Sequence, residues 1–148
     1  MTEWRSRQDP VSVVVEARNP LNPSGVLVEP GNSYGVCDIS IDKPLSDGGI
    51  EIPTANGLRS HEAPKILSKI IWQISVWMRR VPNANWFELI ALIEETGETF
   101  RIAKEASFKP KGGGRLYFFV NDVPFAYRNN KGRLSLTVVR ENASGAKD

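Results

Sequence analysis

Residues 115–139 read RLYFFVNDVPFAYRNNKGRLSLTVV, two apolar runs on either side of a polar segment. The runs RLYFFV (115–120) and GRLSLTVV (132–139) are rich in β-branched and aromatic residues, which is typical of β-strands. The segment between them is rich in Asn and Asp, which favour turns because they tolerate left-handed backbone and hydrogen-bond locally. The stretch therefore predicts two strands joined by an oxygen-rich connection.

Short strand-like runs also occur through most of the remaining chain, separated by Gly, Pro and Asn. They are VSVVVEA (11–17), VLVEPG (26–31), SYGVCDISID (33–42), WFELIALIEE (86–95) and TFRIAK (99–104). Many short strands with such turns are typical of two-layered all-β folds. We therefore expect a mainly β, jelly-roll-like β-sandwich over residues 11–140, preceded by a flexible arm (1–10) and followed by a flexible tail (141–148).

Three segments are predicted as connections rather than strands. NPLNPSG (19–25) combines Asn, Pro and Gly and predicts a turn. KPLSDGGIEIPTANG (43–57) is expected to be mostly surface loop, with room for a short strand at Ile50 and Ile52. KPKGGG (109–114) lacks the Lys-Ser/Thr ending of a phosphate loop and is expected to be a hairpin connection.

The segment APKILSKIIWQISVWMRR (63–80) differs from the rest because its apolar residues recur at helical spacing. Arg79 and Arg80 suit the negative end of a helix dipole, and Pro82 would end the helix. We expect one inserted helix over about 63–80, with its apolar stripe in the core or, as the alternative, forming a partner groove. Alternating apolar residues leave a strand open for its second half: Trp72, Ile74, Val76 and Met78.

Composition restricts the classes of function. The chain has 148 residues, 41% of them hydrophobic and 24% charged, as in one soluble globular domain. A net charge of +2 gives no basis for nucleic-acid binding. The lone Cys37 excludes an intramolecular disulfide, and nothing in the sequence brings it to His61, the only histidine. No apolar run is long enough for a membrane span, and the N-terminus lacks a secretory signal, so we expect a cytoplasmic protein or one exported without a classical signal peptide.

The polar connection contains ligand types that suit calcium. Calcium prefers six to eight oxygens from carboxylates, amides and main-chain carbonyls. Asp122 offers a carboxylate, and three side chains offer amide oxygens: Asn121, Asn129 and Asn130. An ordinary turn explains the same composition. One carboxylate is few for a tight site, and the cationic Arg128 and Lys131 lie close by in the sequence.

The segment NDVPFAYRNNKGRLSLTV (121–138) resembles the end of the calcium-dependent, galactose-binding bacterial lectins of the PA-IL type. The resemblance includes an Asn-Asp-Val-Pro segment followed by a tyrosine, two asparagines and a glycine before the last strand. PGNSYG (30–35) resembles that family's earlier calcium segment. VSVVVEA (11–17) and LIALIEETGETFRIAK (89–104) resemble other strands of the family, so that about half of the chain is covered.

This resemblance implies a galactose-binding-like β-sandwich with a calcium and sugar site at one end. The implied calcium ligands are the side chains of Asp122, Asn129 and Asn130 and the main-chain oxygens of Tyr34 and Ala126. Two vicinal hydroxyls of a galactose-type sugar complete the ion's shell, and the implied sugar contacts are Tyr34, Asp122, Asn129 and His61. SHEAP (60–64) departs from the family because Pro64 stands where a Gln is expected. The implied activity is binding, not catalysis.

Two other functions stay open. A sandwich that has lost calcium and sugar could be a protein-interaction module, for which the four tryptophans would supply anchors: Trp4, Trp72, Trp77 and Trp86. A glycoside-cleaving enzyme would need a carboxylate pair, for which Asp122 with Glu88 or Glu51 are the candidates. Assembly of the chain into a homo-oligomer also stays open.

Overall fold

The computed structural model describes residues 2–47, 50–52, 54–57, 80–81, 83–85, 87–102, 107–122, 127 and 130–141. Apart from Arg80, the predicted helix over 63–80 lies outside these residues, as does the tail from residue 142 onward. Within the described ranges, no helix is long and apolar enough to cross a membrane.

The described chain folds into strands that form two antiparallel sheets. The first sheet has the order β1-β9-β3-β4, with β7 also paired to β3, and the second has the order β2-β8-β5-β6. The strands are β1 (Val11–Glu16), β2 (Asn22–Val28), β3 (Ser33–Asp47), β4 (Ile50–Ile52), β5 (Leu89–Ile93), β6 (Thr99–Arg101), β7 (Ser107–Phe108), β8 (Gly114–Val120) and β9 (Asn130–Glu141).

The core lies between the two sheets because each strand alternates its side chains across the sheet. In β9, Leu134, Leu136 and Val138 are buried, and in β8, Leu116 and Phe118 are buried in the same cluster. One apolar layer shared by two antiparallel sheets defines a β-sandwich. The predicted mainly β sandwich is therefore confirmed.

The segment predicted as a turn, 19–25, in fact contains the beginning of β2 at Asn22. β2 is an edge strand, where a proline such as Pro23 costs no ladder hydrogen bond. Asn22 is buried and donates to the carbonyls of Glu16 and Phe118, which fixes the start of the strand. The turn residues therefore misled the prediction of this segment. The Asn22 side chain bonds neighbouring carbonyls, and Pro23 lies on an edge strand, where its missing N–H is tolerated.

The hairpin predicted at 109–114 is wrong because its two strands belong to different sheets. KPKGGG (109–114) leads from β7 in the first sheet to β8 in the second. Likewise, the polar stretch after residue 120 leads from β8 to β9, back to the first sheet. The chain thus leaves the second sheet at Val120 and enters the first sheet at Asn130. In addition, β3 extends to Asp47, into a segment expected to be loop.

The first ten residues, expected to be a flexible arm, make defined contacts with the second sheet. Arg5 forms a parallel bridge with Val26 of β2, in which its amide donates to the carbonyl of Gly25 and its carbonyl accepts from Leu27. The ring of Trp4 lies 5.1 Å from that of Tyr117, measured between centroids.

Candidate functional site

The candidate site is the sandwich end where β8 leads into β9. Asp122 directly follows β8 and is 1% exposed, whereas Asn130 opens β9 and is 2% exposed. Both side chains are therefore removed from bulk water at the same end of the molecule. The other predicted contacts at this end, Ala126, Asn129 and the histidine His61, lie outside the described residues, as does Arg128.

The two polar atoms of the Asn130 side chain differ in their hydrogen bonding. Its Nδ2 donates to the carbonyl of Ala17 at 3.2 Å. Its Oδ1 is buried and accepts no hydrogen bond from the residues that the structure describes. A buried polar oxygen without a donor is destabilising unless something else approaches it, and an amide oxygen is a ligand that calcium accepts. The residue thus fits the role of a cation ligand.

Asp122 is held at its main chain by Arg80, whose amide donates to the Asp122 carbonyl at 3.1 Å. Its carboxylate lies near the phenol of Tyr127, which donates to the Val120 carbonyl at 2.6 Å. Burial raises the pKa of Tyr127 to about 12, the positive charge of Arg80 acts against this rise, and the negative charge of Asp122 adds to it. Both charges therefore act on this buried phenol.

Arg80 introduces a cation that the sequence did not place at this end. Its guanidinium lies 3.5 Å from the centroid of the Phe119 ring. Its Nη1 donates to the Tyr127 hydroxyl at 3.2 Å and to the Pro20 carbonyl. These contacts fix a positive charge at the Tyr127 phenol, on which the charge of Asp122 also acts. Its position next to a predicted helix end suggested only a dipole interaction, so no sequence signal pointed to this contact.

Asn121, one of the four polar residues singled out in the sequence, has a structural role. It is fully buried, and its Oδ1 accepts from the amide of Val81 at 2.9 Å. Its Nδ2 donates to the carbonyls of Val81, Ala84 and Asn85. All polar atoms of this side chain are engaged, so Asn121 holds the segment around 81–85 and is not available to an ion.

The structure separates Tyr34 from the rest of the predicted site. Tyr34 pairs with Arg140 near the end of β9, whereas Asn130 begins that strand and pairs with Asp47. Ten residues of strand correspond to about 30 Å, and ligands of one ion lie within a few ångströms of it. Tyr34 therefore cannot share an ion, or a sugar bound to that ion, with Asn130. It is a core residue whose ring stacks on Phe108.

Position 47, not 34, supplies the β3 main chain beside Asn130. The error arose because a Tyr-Gly pair after a proline-glycine turn marks the start of β3, and β3 is 15 residues long with three irregularities in its pairing to β9. A short motif cannot say which end of such a strand reaches the site, since that is decided by long-range register.

Neither candidate carboxylate pair for catalysis is supported by the described geometry. Glu88 is fully buried and accepts two hydrogen bonds from Arg101, both at 2.7 Å, and one from the amide of Asn85. Its oxygens are thus committed to the fold. Glu51 is exposed on β4. The described residues contain no group of three or more His, Cys, Asp or Glu side chains that could hold a metal, so an ion here would need amide and main-chain oxygens in addition to the Asp122 carboxylate.

Comparison with known proteins adds information on the fold. No protein family and no curated protein matches the chain by sequence. A solved structure described as the N-terminal domain of EclA, a PllA-like lectin, matches with a TM-score of 0.57 and 17% identity, covering 88% of this chain and 96% of that chain. The chain has a lectin-like β-sandwich fold. At this identity the likeness concerns the fold alone.

Proposed function

We propose that this protein binds carbohydrate without catalysis, through a calcium-dependent site at the end of the sandwich between β8 and β9. The observation that carries the proposal is the buried Oδ1 of Asn130, which accepts no hydrogen bond within the described part of the chain. It is supported by the buried carboxylate of Asp122 at the same end and by the lectin-like fold. Galactose-type sugars are the proposed ligands, as the resemblance of residues 121–138 implies.

The proposed calcium ligands are all oxygen atoms, and they come from side chains and from the main chain. Asp122 would give the negative charge and Asn130 a neutral amide oxygen. Asn129 and the carbonyl of Ala126 complete the contribution of this connection, and the main chain at position 47 takes the place proposed for Tyr34. His61 remains a proposed sugar contact. When bound, calcium would offer coordination positions to two adjacent sugar hydroxyls, which replace two waters.

The protein's own residues would then do three things in this site. Burial of Asp122 and Asn130 keeps water from competing for their oxygens and so strengthens charge interactions. The bond from Arg80 to the Asp122 carbonyl fixes the main chain beside the carboxylate. The positive charge of Arg80 weakens the attraction for a second cation, so we expect calcium affinity to be moderate rather than tight.

The experiment is a thermal melt with calcium or EDTA, combined with calorimetric titration of methyl β-galactopyranoside. A ligand that binds only the folded state raises its stability by about 2.7 kcal/mol at a concentration one hundred times its dissociation constant. We expect calcium to raise the melting temperature and the sugar to bind only with calcium present. The absence of any calcium response would refute the proposal.

The matched variants are Asp122→Asn and Asp42→Asn. Each removes one carboxylate charge, but Asp42 is exposed and bonds only to the Ser135 hydroxyl at 3.3 Å among described contacts. We expect the calcium response to be lost in Asp122→Asn and kept in Asp42→Asn. If both variants keep it, the ion binds elsewhere. Melts in EDTA show whether Asp122→Asn still folds.

A further inference from the structure

A second group of aromatic and charged side chains lies on the outer face of the second sheet. Trp4 and Tyr117 have ring centroids 5.1 Å apart and planes inclined at 51°. Both are partly exposed, whereas the neighbours Leu116 and Phe118 point into the core. Strand alternation therefore directs Tyr117 away from the core, and the two rings form a partly open apolar surface that the fold does not bury.

The position of Trp4 is determined by main-chain hydrogen bonds. The next residue, Arg5, bonds to Gly25 at 3.2 Å and to Leu27 at 2.9 Å on the edge of β2. Trp4 therefore approaches Tyr117 from a tethered backbone. A fixed ring loses little conformational entropy on binding a ligand, which is why rigid aromatic residues are favoured at recognition surfaces.

Charged groups of both signs flank these rings. Arg115, two residues before Tyr117, donates from Nη2 to Glu94 at 2.6 Å and from Nε to Glu95 at 2.8 Å. All three side chains are between 37% and 42% exposed. The three side chains carry one positive and two negative charges and offer guanidinium donors and carboxylate acceptors on one face. Such a surface disfavours an anion, and its mixed donors and acceptors suit a neutral molecule with many hydroxyls.

The residues that follow Trp4 add a polar concavity. Residues 5–11 line a pocket of about 260 Å³. Its lining includes two arginines, a glutamine and an aspartate: Arg5, Arg7, Gln8 and Asp9. An apolar ring surface and a polar pocket thus occur on consecutive residues of the same tethered segment. Neither Trp4 nor Tyr117 lines this pocket, so it is a polar surface that follows the ring pair in the sequence and is not part of it.

We propose that Trp4 and Tyr117 form a second carbohydrate site, in which one ring stacks on the C–H face of a neutral hexopyranose, the other ring, inclined at 51°, contacts its edge, and Arg115, Glu94 and Glu95 hydrogen-bond its hydroxyls. Tyr117 lies five residues before Asp122, about 15 Å along the strand direction. This site therefore needs no calcium. It extends carbohydrate binding to a second surface and does not depend on the site between β8 and β9.

The test is saturation-transfer NMR and affinity titration in EDTA, with methyl β-galactopyranoside and methyl β-glucopyranoside as probes. We expect EDTA-resistant binding of at least one probe in the wild type. Trp4→Ala should weaken it about threefold to tenfold, which corresponds to the 0.5–1.5 kcal/mol of an aromatic contact. Trp4→Phe, which keeps a ring, should retain most of it. No EDTA-resistant binding of either probe would overturn the inference.

Two further variants separate this site from a purely structural aromatic contact and from the calcium site. Tyr117→Leu leaves the bridge between Arg5 and Val26 in place, so it should weaken EDTA-resistant binding while the amide of Leu27 stays protected from hydrogen exchange. Unchanged binding in Tyr117→Leu would show that the pair only anchors the arm. Asp122→Asn should keep EDTA-resistant binding even when calcium-dependent binding is lost, so the two proposals fail independently.

Discussion

At the scale of single residues, Tyr127 joins the candidate site to the pH dependence of stability. Its hydroxyl donates to the Val120 carbonyl and accepts from Arg80, and burial raises its pKa from 10 to about 12. The folded protein therefore holds the phenol proton more tightly than the unfolded chain does. The stability contributed by Tyr127 is complete below about pH 10 and is lost as pH rises through 12.

The prediction is that the free energy of unfolding falls by about 2–3 kcal/mol between pH 10 and 12 because of this residue. Urea denaturation across this interval measures the fall. In Tyr127→Phe the fall should be smaller by that amount, since no phenol titrates there. The same slope in wild type and variant would show that Tyr127 titrates normally.

The ion pair between Glu88 and Arg101 leads to a second prediction at the scale of single residues. The Glu88 carboxylate is fully buried, and Arg101 is its cation. Arg101→Ala would leave a buried charge without its partner, which costs about 3–5 kcal/mol. Chemical denaturation measures this loss. The matched control is Arg133→Ala, because Arg133 contacts the exposed Glu16 at 3.4 Å and such surface pairs contribute less than about 1 kcal/mol. Equal losses in the two variants would contradict the assignment.

At the scale of elements, Asn121 fastens the segment around residues 81–85 to the end of β8. Four hydrogen bonds join its fully buried amide to that segment. Asn121→Ala leaves the amide of Val81 and three carbonyls without this partner. We expect a loss of about 2–4 kcal/mol, because several buried polar groups lose their hydrogen bonds.

The measurement for Asn121 combines denaturation with hydrogen exchange. The amide of Val81 should exchange much faster in Asn121→Ala, whereas the amide of Ala91, in the middle of β5, should change only with global stability. Asn32→Ala serves as the control, since the Asn32 amide bonds only an exposed Glu29 carboxylate at 3.3 Å. An unchanged Val81 amide would rule out the fastening role.

Gly132 controls how closely β9 approaches β3. Its backbone has a φ of +104°, and a Cβ there would lie 2.7 Å from the Cα of Leu45. Gly132→Ala should therefore cost clearly more than the roughly 1–2 kcal/mol of a left-handed backbone alone. Gly31→Ala is the matched control, because Gly31 has a φ of +88° and no atom within 4 Å of its Cβ position. Chemical denaturation measures the loss of stability in both variants. Similar losses would contradict the close approach of β9 to β3 at Gly132.

The elements also show which features the sequence could predict. β1, β5, β8 and β9 were recognisable from their β-branched and aromatic runs: β1 and β9 bury alternate residues over much of their length, whereas β5 and the end of β8 are buried on both faces. The pairing of these strands was not recognisable. The residues on either side of 109–114 suggested a hairpin, yet β7 and β8 lie in different sheets, as do β8 and β9 on either side of the polar connection. Local turn chemistry is the same in both cases, and only the shared core decides which strands become neighbours.

At the scale of the whole molecule, some residues of the candidate site could be predicted from local composition, whereas others depend on contacts set by strand register. Asp122 and Asn130 could be chosen as candidates because both belong to one short oxygen-rich stretch, and the structure buries both at one end. Tyr34 was misplaced, and Arg80 was missed, because each depends on contacts between residues far apart in the sequence. Sites built from several loops at the end of a sandwich therefore resist prediction from short motifs.

The position of the site between the sheets leads to a prediction about cooperativity. Asp122 follows β8 of the second sheet, and Asn130 begins β9 of the first. An ion held by both would link the sheets at this end, so separating them would require its release. We therefore expect calcium to slow hydrogen exchange at Leu116 and Phe118 in β8 and at Leu134 and Leu136 in β9 by a similar factor. That factor should match the calcium-induced gain in global stability.

The alternative is a local effect, in which calcium orders only the connection between the strands. Slowed exchange confined to residues next to Asp122 and Asn130, with β8 and β9 interiors unchanged, would show that the ion does not join the sheets. Asp122→Asn provides the control for nonspecific calcium effects, since exchange in that variant should be the same with calcium and with EDTA. Because Leu116 and Leu134 are fully buried in one core cluster, their exchange requires opening of the sandwich itself, and their response therefore distinguishes a link between sheets from an ordered loop.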